Sequence, residues 1–96
     1  MKALDDGHNY QLKQMKQSKV APILSFYEMR DDGTIINGTT NEEVIKVLID
    51  RIRRMNAKFP CRENAVAIGK LREALSWLER RTADREARGV EGKMEP

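Results

Sequence analysis

Apolar residues recur along this chain in two rhythms, and the change of rhythm marks the change of structure. In the last third, Ile68, Leu71, Leu75 and Leu78 step by three, four and three, the seam of a helix that lays one face on a partner. This helix is expected to begin at Cys61 or Arg62, just after Pro60, and to run to Arg88. Gly89 then supplies a left-handed stop, with Val90 as the apolar contact that folds back on the helix end. Upstream, Thr40-Asn41-Glu42-Glu43 carries the capping-box pattern, in which the threonine oxygen accepts from the Glu43 amide and the Glu43 carboxylate reaches back. A first helix is predicted from there, with Val44, Ile45, Leu48, Ile52 and Met55 on one face, Arg51, Arg53 and Arg54 elsewhere, and a break from Ala57 to Pro60. A connection of about four residues makes the pair an antiparallel hairpin. At 1.5 Å per residue the second helix is roughly 40 Å long and the first about two-thirds of that. The arginine-rich end, Arg80 to Arg88, is therefore expected to project and to find cover against another subunit.

Between Val20 and Thr40 the spacing shortens. VAPILSFYEMR and TIINGTT are rich in β-branched and aromatic residues and are separated by Asp31-Asp32-Gly33. Aspartate before glycine suits a tight turn with positive φ, so a small β-hairpin is predicted, Pro22 confining the start of its first strand to an edge. A lone hairpin is marginal in water and needs helices or another subunit to pack on. Residues 1–19 are polar, with only Leu4, Tyr10, Leu12 and Met15 as anchors, and read as a mobile arm or a short docking helix. The expected fold is α+β: a small amino-terminal β-hairpin followed by a long antiparallel two-helix hairpin, oligomeric. Its parts are an arm at 1–19, a β-hairpin region at 20–40, a helical hairpin domain at 41–92 and a tail at 93–96.

Composition limits what such a fold can do. The chain has 96 residues, 40% hydrophobic, 5% aromatic and 34% charged, which allows one modest core, with oligomerisation supplying further burial. Eighteen basic residues against 15 acidic ones leave a net charge of +3, with an isoelectric point near 9.2. A duplex-binding domain usually shows a more one-sided basic stripe, whereas a pocket for a small anion needs only a few convergent arginines. One cysteine, Cys61, excludes an internal disulfide and any zinc-ligand spacing and points to a reducing compartment. No run has the apolar core of a signal peptide or the roughly 20 apolar residues of a membrane span. The expected location is the cytoplasm.

Candidate chemistry is sparse. His8, the single histidine, has no nucleophile or carboxylate placed around it in a recognisable arrangement, and reads as solvated rather than catalytic. Cys61 lies at a helix start, where a thiolate would be favoured, but a capping or buried thiol is the plainer reading. No glycine-rich phosphate loop is present. Arg80, Arg81, Arg85 and Arg88 offer planar bidentate donors for phosphate. The same arginines would also complement the helix dipole, and Arg80 with Asp84, or Asp84 with Arg88, are ordinary pairs at four-residue spacing. Asn64 continues the Ile68, Leu71, Leu75 seam one step upstream, where its amide either sets register or reads a base edge. Trp77 and Tyr27 have faces for stacking, although Trp77 beside Leu78 fits a core or dimer interface as well.

The tract CRENAVAIGKLREALSWLERRTADREARGVEG, with NGTTNEEVIKVLIDRI upstream, resembles the hairpin domain shared by phage anti-Thoeris and anti-CBASS sponge proteins. The resemblance covers Ile36 to Gly92. It rests on Asn-Gly-x-Thr-Asn-Glu at Asn37 to Glu42, on the Cys-Arg-Glu-Asn start of the second helix, and on Arg-Thr-x-x-Arg followed by Arg-Gly-Val-Glu-Gly. It implies a phage or prophage protein that sequesters nucleotide immune messengers in the infected host's cytoplasm and releases them intact. The ligands implied are cyclic ADP-ribose isomers and, in some members, cyclic di- or trinucleotides. Family members assemble as dimers and often as hexamers.

On this resemblance the ligand-binding asparagine is Asn64 and the phosphate-binding arginine Arg81. They stand 17 residues apart, roughly 25 Å along one helix, so a pocket that uses both would be built across two antiparallel copies, with two equivalent pockets per two-fold dimer. The less similar amino-terminal forty residues are where specificity is expected to vary. The predicted hairpin, and Tyr27 capping a base from a strand, favour the Thoeris-like side. The candidate ligand-binding set is Asn64, Arg81, Arg80, Arg85, Arg88, Arg62 and Tyr27, with no catalytic residue, metal or cofactor. Two other readings stay open: a small dimeric nucleic-acid-binding regulator using Arg51, Arg53, Arg54 and the second-helix arginines, and a purely structural helical hairpin.

Overall fold

The structure is a computed structural model and describes residues 1–89. Val90, the end of the helical region at 92 and the tail at 93–96 lie outside the described residues. The chain divides into two compact units, Met1–Thr40 and one that begins at Asn41. Small strands followed by two packed helices make it α+β, as the rhythm of apolar positions predicts.

The first unit is built of five strands two or three residues long. β1 (Lys2–Ala3), β2 (Asn9–Gln11) and β3 (Ile23–Ser25) form an antiparallel sheet in that order, with Ala3 opposite Tyr10 and Tyr10 opposite Leu24. Residues 1–19, expected as a mobile arm or docking helix, instead contribute two of its three strands. The expected hairpin about Asp31 to Gly33 forms from β4 (Glu28–Met29) and β5 (Ile35–Ile36), with Glu28 opposite Ile36. Gly33 has φ +87°, the Asp32 carboxylate accepts from the Thr34 amide at 2.8 Å, and the Arg30 amide donates to the Thr34 carbonyl at 2.9 Å. The long strand expected from Val20 to Arg30 is split at Phe26 and Tyr27. Its first half pairs with β2, and its second half turns into β4.

What splits it is a crossing of backbones. Phe26 bridges Thr39 in parallel, the Tyr27 amide donates to the Thr39 carbonyl at 3.0 Å, and the Thr39 amide donates to the Ser25 carbonyl at 2.9 Å. Gly38 makes this possible, because a Cβ there would overlap the Phe26 carbonyl carbon and the Tyr27 amide nitrogen. Tyr10 and Phe26 then meet edge to face with ring centroids 5.8 Å apart, the geometry aromatic quadrupoles favour.

The second unit is a helical hairpin. α1 (Asn41–Lys58) starts directly after Thr40, with Glu42 and Glu43 in its first turn and Lys58 in its last, charges that complement the helix dipole. α2 (Arg62–Ala87) follows a three-residue link and packs back along α1. Gly89, with φ +72°, donates its amide to the Glu86 carbonyl and ends the helix where expected. On α2 the predicted seam faces inward: Ile68 is 9% exposed and Leu71, Leu75 and Leu78 are half-buried. On α1 the buried face is rotated from the predicted one. Ile49 is its most buried residue, at 9%, flanked by half-buried Ile45, Ile52 and Asn56, while Leu48 and Met55 are exposed. Seven apolar residues between Val44 and Met55 wrap well over half of the helix, so periodicity alone cannot say which part meets α2.

Among the described residues no side chain is fully buried. Phe59, Val47, Val66 and Trp77 are exposed apolar groups on the hairpin. No helix of the described residues is long and apolar enough to cross a membrane.

Candidate functional site

The turn between the helices positions the start of α2. The Asn56 carboxamide oxygen accepts from the Cys61 amide at 3.0 Å, and the Phe59 amide donates to the Met55 carbonyl at 3.0 Å. Cys61 occupies the cap position with an extended backbone (φ −152°, ψ 157°) but makes no side-chain capping bond, and its thiol is exposed. It is thus neither the side-chain cap nor the buried thiol expected. Asn56 on the preceding helix accepts from the backbone amide of the cap residue Cys61 itself. The sequence offered a signal for this, a polar residue at the core edge of α1 within a turn of the link, but it points equally to solvent.

Asn64 lies in the first turn of α2, half-buried and in line with Ile68, Leu71 and Leu75. Among the described residues its side-chain amide makes no hydrogen bond. Arg62, two residues earlier, is exposed and likewise has no ion-pair partner among them. A partly desolvated amide with one donor and one acceptor group still to satisfy is costly unless something polar reaches it.

At the other end of α2 the arginines part company. The Arg80 guanidinium lies 4.6 Å from the centroid of the Trp77 ring, a cation–π contact that holds it across the exposed indole. Arg88 Nε donates to Asp84 at 3.0 Å, so the ordinary pair at four-residue spacing forms between these two. Arg85 is buried, at 9% exposure. Arg81 is exposed and has no ion-pair partner among the described residues. Of the four candidate arginines it is therefore the one without a partner among the described residues.

Asn64 and Arg81 both belong to α2. Their 17-residue spacing is roughly 25 Å along the axis and about 100° around it, so one chain does not bring them together. Tyr27 belongs to the strand unit, between β3 and β4 rather than within a strand, with its ring exposed and its amide held by Thr39. His8 is not simply solvated: it is half-buried, its carbonyl accepts from the Phe26 amide at 2.7 Å, and its Nδ1 lies 3.9 Å from Glu28.

The α1 arginines sit in a different setting. A shallow groove of about 380 Å³ is lined by Glu43, Lys46, Val47, Asp50, Arg51 and Arg54. Arg54 Nε donates to Asp50 at 2.8 Å. Carboxylates interleaved with the cations leave no one-sided basic face there. No group of three or more His, Cys, Asp and Glu side chains among the described residues could hold a metal ion.

With this geometry in view, the likenesses to known proteins fall into place. A relative, the protein named Thoeris anti-defense 1 from Bacillus phage SBSphiJ7, is 57% identical over 60 residues, which make up 62% of this chain and 42% of the relative. The chain thus matches less than half of that protein's length. Residues 26–83 match the family described as Acb2/Tad1, hairpin domain. The matched span takes in β4, β5, α1 and most of α2, including Asn64 and Arg81, and it begins ten residues earlier than the motifs indicate. It stops short of Arg85, Arg88 and the Arg-Gly-Val-Glu-Gly segment. More than half of the chain lies within this match, and the protein belongs to the Acb2/Tad1 hairpin-domain family.

Proposed function

We propose that this protein is a phage or prophage anti-defence protein that binds cyclic nucleotide immune messengers and withholds them without hydrolysis. Cyclic ADP-ribose isomers are the leading ligand class, with cyclic di- and trinucleotides as the wider one. Family membership and the name of its phage relative support the anti-defence role. The observation that carries the binding mode is the pairing of two uncommitted groups on one helix: the half-buried Asn64 amide and the Arg81 guanidinium, 17 residues apart.

A guanidinium offers two parallel donors to a phosphate, and a carboxamide can satisfy a donor and an acceptor on one base edge. Two antiparallel copies of α2 bring the Asn64 end of one chain to the Arg81 end of the other. The assembly is then a two-fold dimer with two pockets, or a hexamer made as a trimer of dimers. The exposed Trp77, Val66 and Phe59 side chains give the hairpin apolar surface for such an association. Arg62, Arg80, Arg85 and Arg88 complete the proposed set as further donors along α2 and at its carboxy-terminal cap. No step of this scheme needs a nucleophile or general base, so the ligand leaves unchanged.

The test is a melting-shift panel of cyclic ADP-ribose isomers and cyclic di- and trinucleotides on wild type, Asn64→Ala and Arg81→Ala. A ligand that binds the folded assembly raises its melting temperature, and both variants should lose the shift. Mixing the two variants should restore it in part, because a hybrid dimer contains one intact cross-chain pocket. Both variants shifting like wild type would refute the pocket, and recovery of cleaved nucleotide after denaturation would make the protein an enzyme. The nucleic-acid reading requires a steep fall of affinity with salt on long polymers, and the mixed charges of the α1 groove weigh against it.

A further inference from the structure

The strand unit carries a concavity of its own. It measures about 510 Å³, within the roughly 300–1,000 Å³ typical of small-molecule sites. Its walls are the open ends of β1 and β2 and the segment leading to β3. Three lysines, Lys2, Lys13 and Lys19, are among its lining residues with Gln11, Gln14 and Gln17, and no Asp or Glu is. None of the three lysines has an ion-pair partner among the described residues.

This is a local departure from the charge balance of the chain. Eighteen basic residues face 15 acidic ones overall, yet no Asp or Glu occurs between Asp6 and Glu28. The acidic residues of the sheet sit at its opposite end: the Asp5 carboxylate closes the β1–β2 turn by accepting from the His8 and Asn9 amides at 2.8 and 3.0 Å. The basic end is held in shape by the backbone. The Leu12 amide donates to the Pro22 carbonyl at 2.9 Å, and Gln14 Nε2 donates to the Val20 carbonyl at 3.2 Å, so the two walls are tied to each other.

We infer that this concavity is a second anion site, separate from the α2 helix, that takes a small molecule carrying two or more phosphoryl groups. Three clustered ammoniums without a counter-charge repel one another, and a multivalent anion removes that repulsion while gaining charge-assisted hydrogen bonds. A single phosphate neutralises the cluster less completely than a diphosphate does. The carboxamides add donors and acceptors for the remainder of the ligand.

The full-length protein, labelled with ¹⁵N, is titrated with inorganic pyrophosphate and with orthophosphate at physiological salt. Saturable amide shifts are expected between Gln11 and Lys19, with pyrophosphate binding more tightly. The double variant Lys13→Gln, Lys19→Gln should bind pyrophosphate at least roughly tenfold more weakly and melt as wild type does, since both side chains are exposed. The control Lys70→Gln, at an exposed position of α2 beside Glu73, should bind it as wild type does. Absence of saturable shifts, shifts confined to α2, or unchanged affinity in the double variant overturns the inference. So does tighter binding of duplex DNA or of phosphatidylserine vesicles than of pyrophosphate, which would make the lysines a polyanion or lipid surface.

Discussion

The two units of this chain reach order by opposite routes. In the strand unit one carboxylate, Asp5, accepts three hydrogen bonds, from the His8 and Asn9 amides and from the Asn9 side chain. Asp32 does the same on a smaller scale for Thr34, and Gly38 admits a backbone crossing that any side chain would block. In the helical unit the ordering groups are apolar, Ile49 and Ile68, with half-buried leucines along one seam. Strands of two or three residues bury little and lean on specific polar geometry, whereas 18- and 26-residue helices satisfy their own backbones and need only a stripe. The first route is sensitive to single atoms and to pH, and the second to volume.

Four perturbations would sharpen or break that contrast. The largest effect is expected from Ile68→Ala, which removes a central group of the seam. A loss of about 2–4 kcal/mol is anticipated by analogy with buried aliphatic truncations, read from denaturant unfolding followed by helical circular dichroism. A loss under about 1 kcal/mol would mean that the seam does not hold the hairpin.

Next comes Gly38→Ala, whose Cβ would push into the Phe26 and Tyr27 backbone. About 1–3 kcal/mol is expected, the range for overpacking, seen as faster amide exchange at Tyr27 and Thr39 while helical ellipticity persists. Loss of both signals together would show that the two units do not unfold separately. Asn56→Ala should cost about 1 kcal/mol, as for loss of a capping acceptor, and should appear as fraying at Arg62 to Ala65. If Asn56→Asp preserves that order and Asn56→Ala does not, the acceptor oxygen is the cause.

The smallest effect is acid sensitivity confined to the strand unit. The Asp5 carboxyl is lowered from 3.8 to about 2, first by the Asn9 side-chain amide and then by the His8 and Asn9 backbone amides. A depressed carboxyl contributes stability that is complete above pH 3.8 and fades as pH falls through about 2. Asp32 is lowered too, chiefly by the Thr34 amide. Amide exchange at His8 and Asn9 should therefore accelerate across that window, and Asp5→Asn should remove the pH dependence. The same acceleration on α1 and α2 would erase the contrast.

Legibility in the sequence followed the distance between partners. Thr40 at the first helix start, Pro60 before the second, Gly89 at its end and Asp31 to Gly33 at the turn are signals complete within a few residues, and each feature formed where expected. Asp6 and Gly7 carry the same aspartate–glycine signature, with φ +101° at Gly7, and mark the turn between the short polar strands β1 and β2. Those strands escaped because two or three residues are too few for an alternation to register. The pairing of Phe26 with Thr39 escaped because nothing in either segment names the other.

The same division runs through the candidate site. The residue types and the 17-residue spacing of Asn64 and Arg81 can be read directly from the chain, and a helix of that length keeps them apart by geometry alone. Which groups are already engaged could not be read. Four arginines look equivalent on a helical projection, but one lies over an indole, one is tied to a carboxylate, one is buried and one is exposed without a partner. Helix and turn positions follow from local conformational preference, which each residue carries with it. The face that α1 buries, the crossing at Gly38 and the fate of each arginine depend on neighbours supplied by packing, and those exist only once the chain has folded.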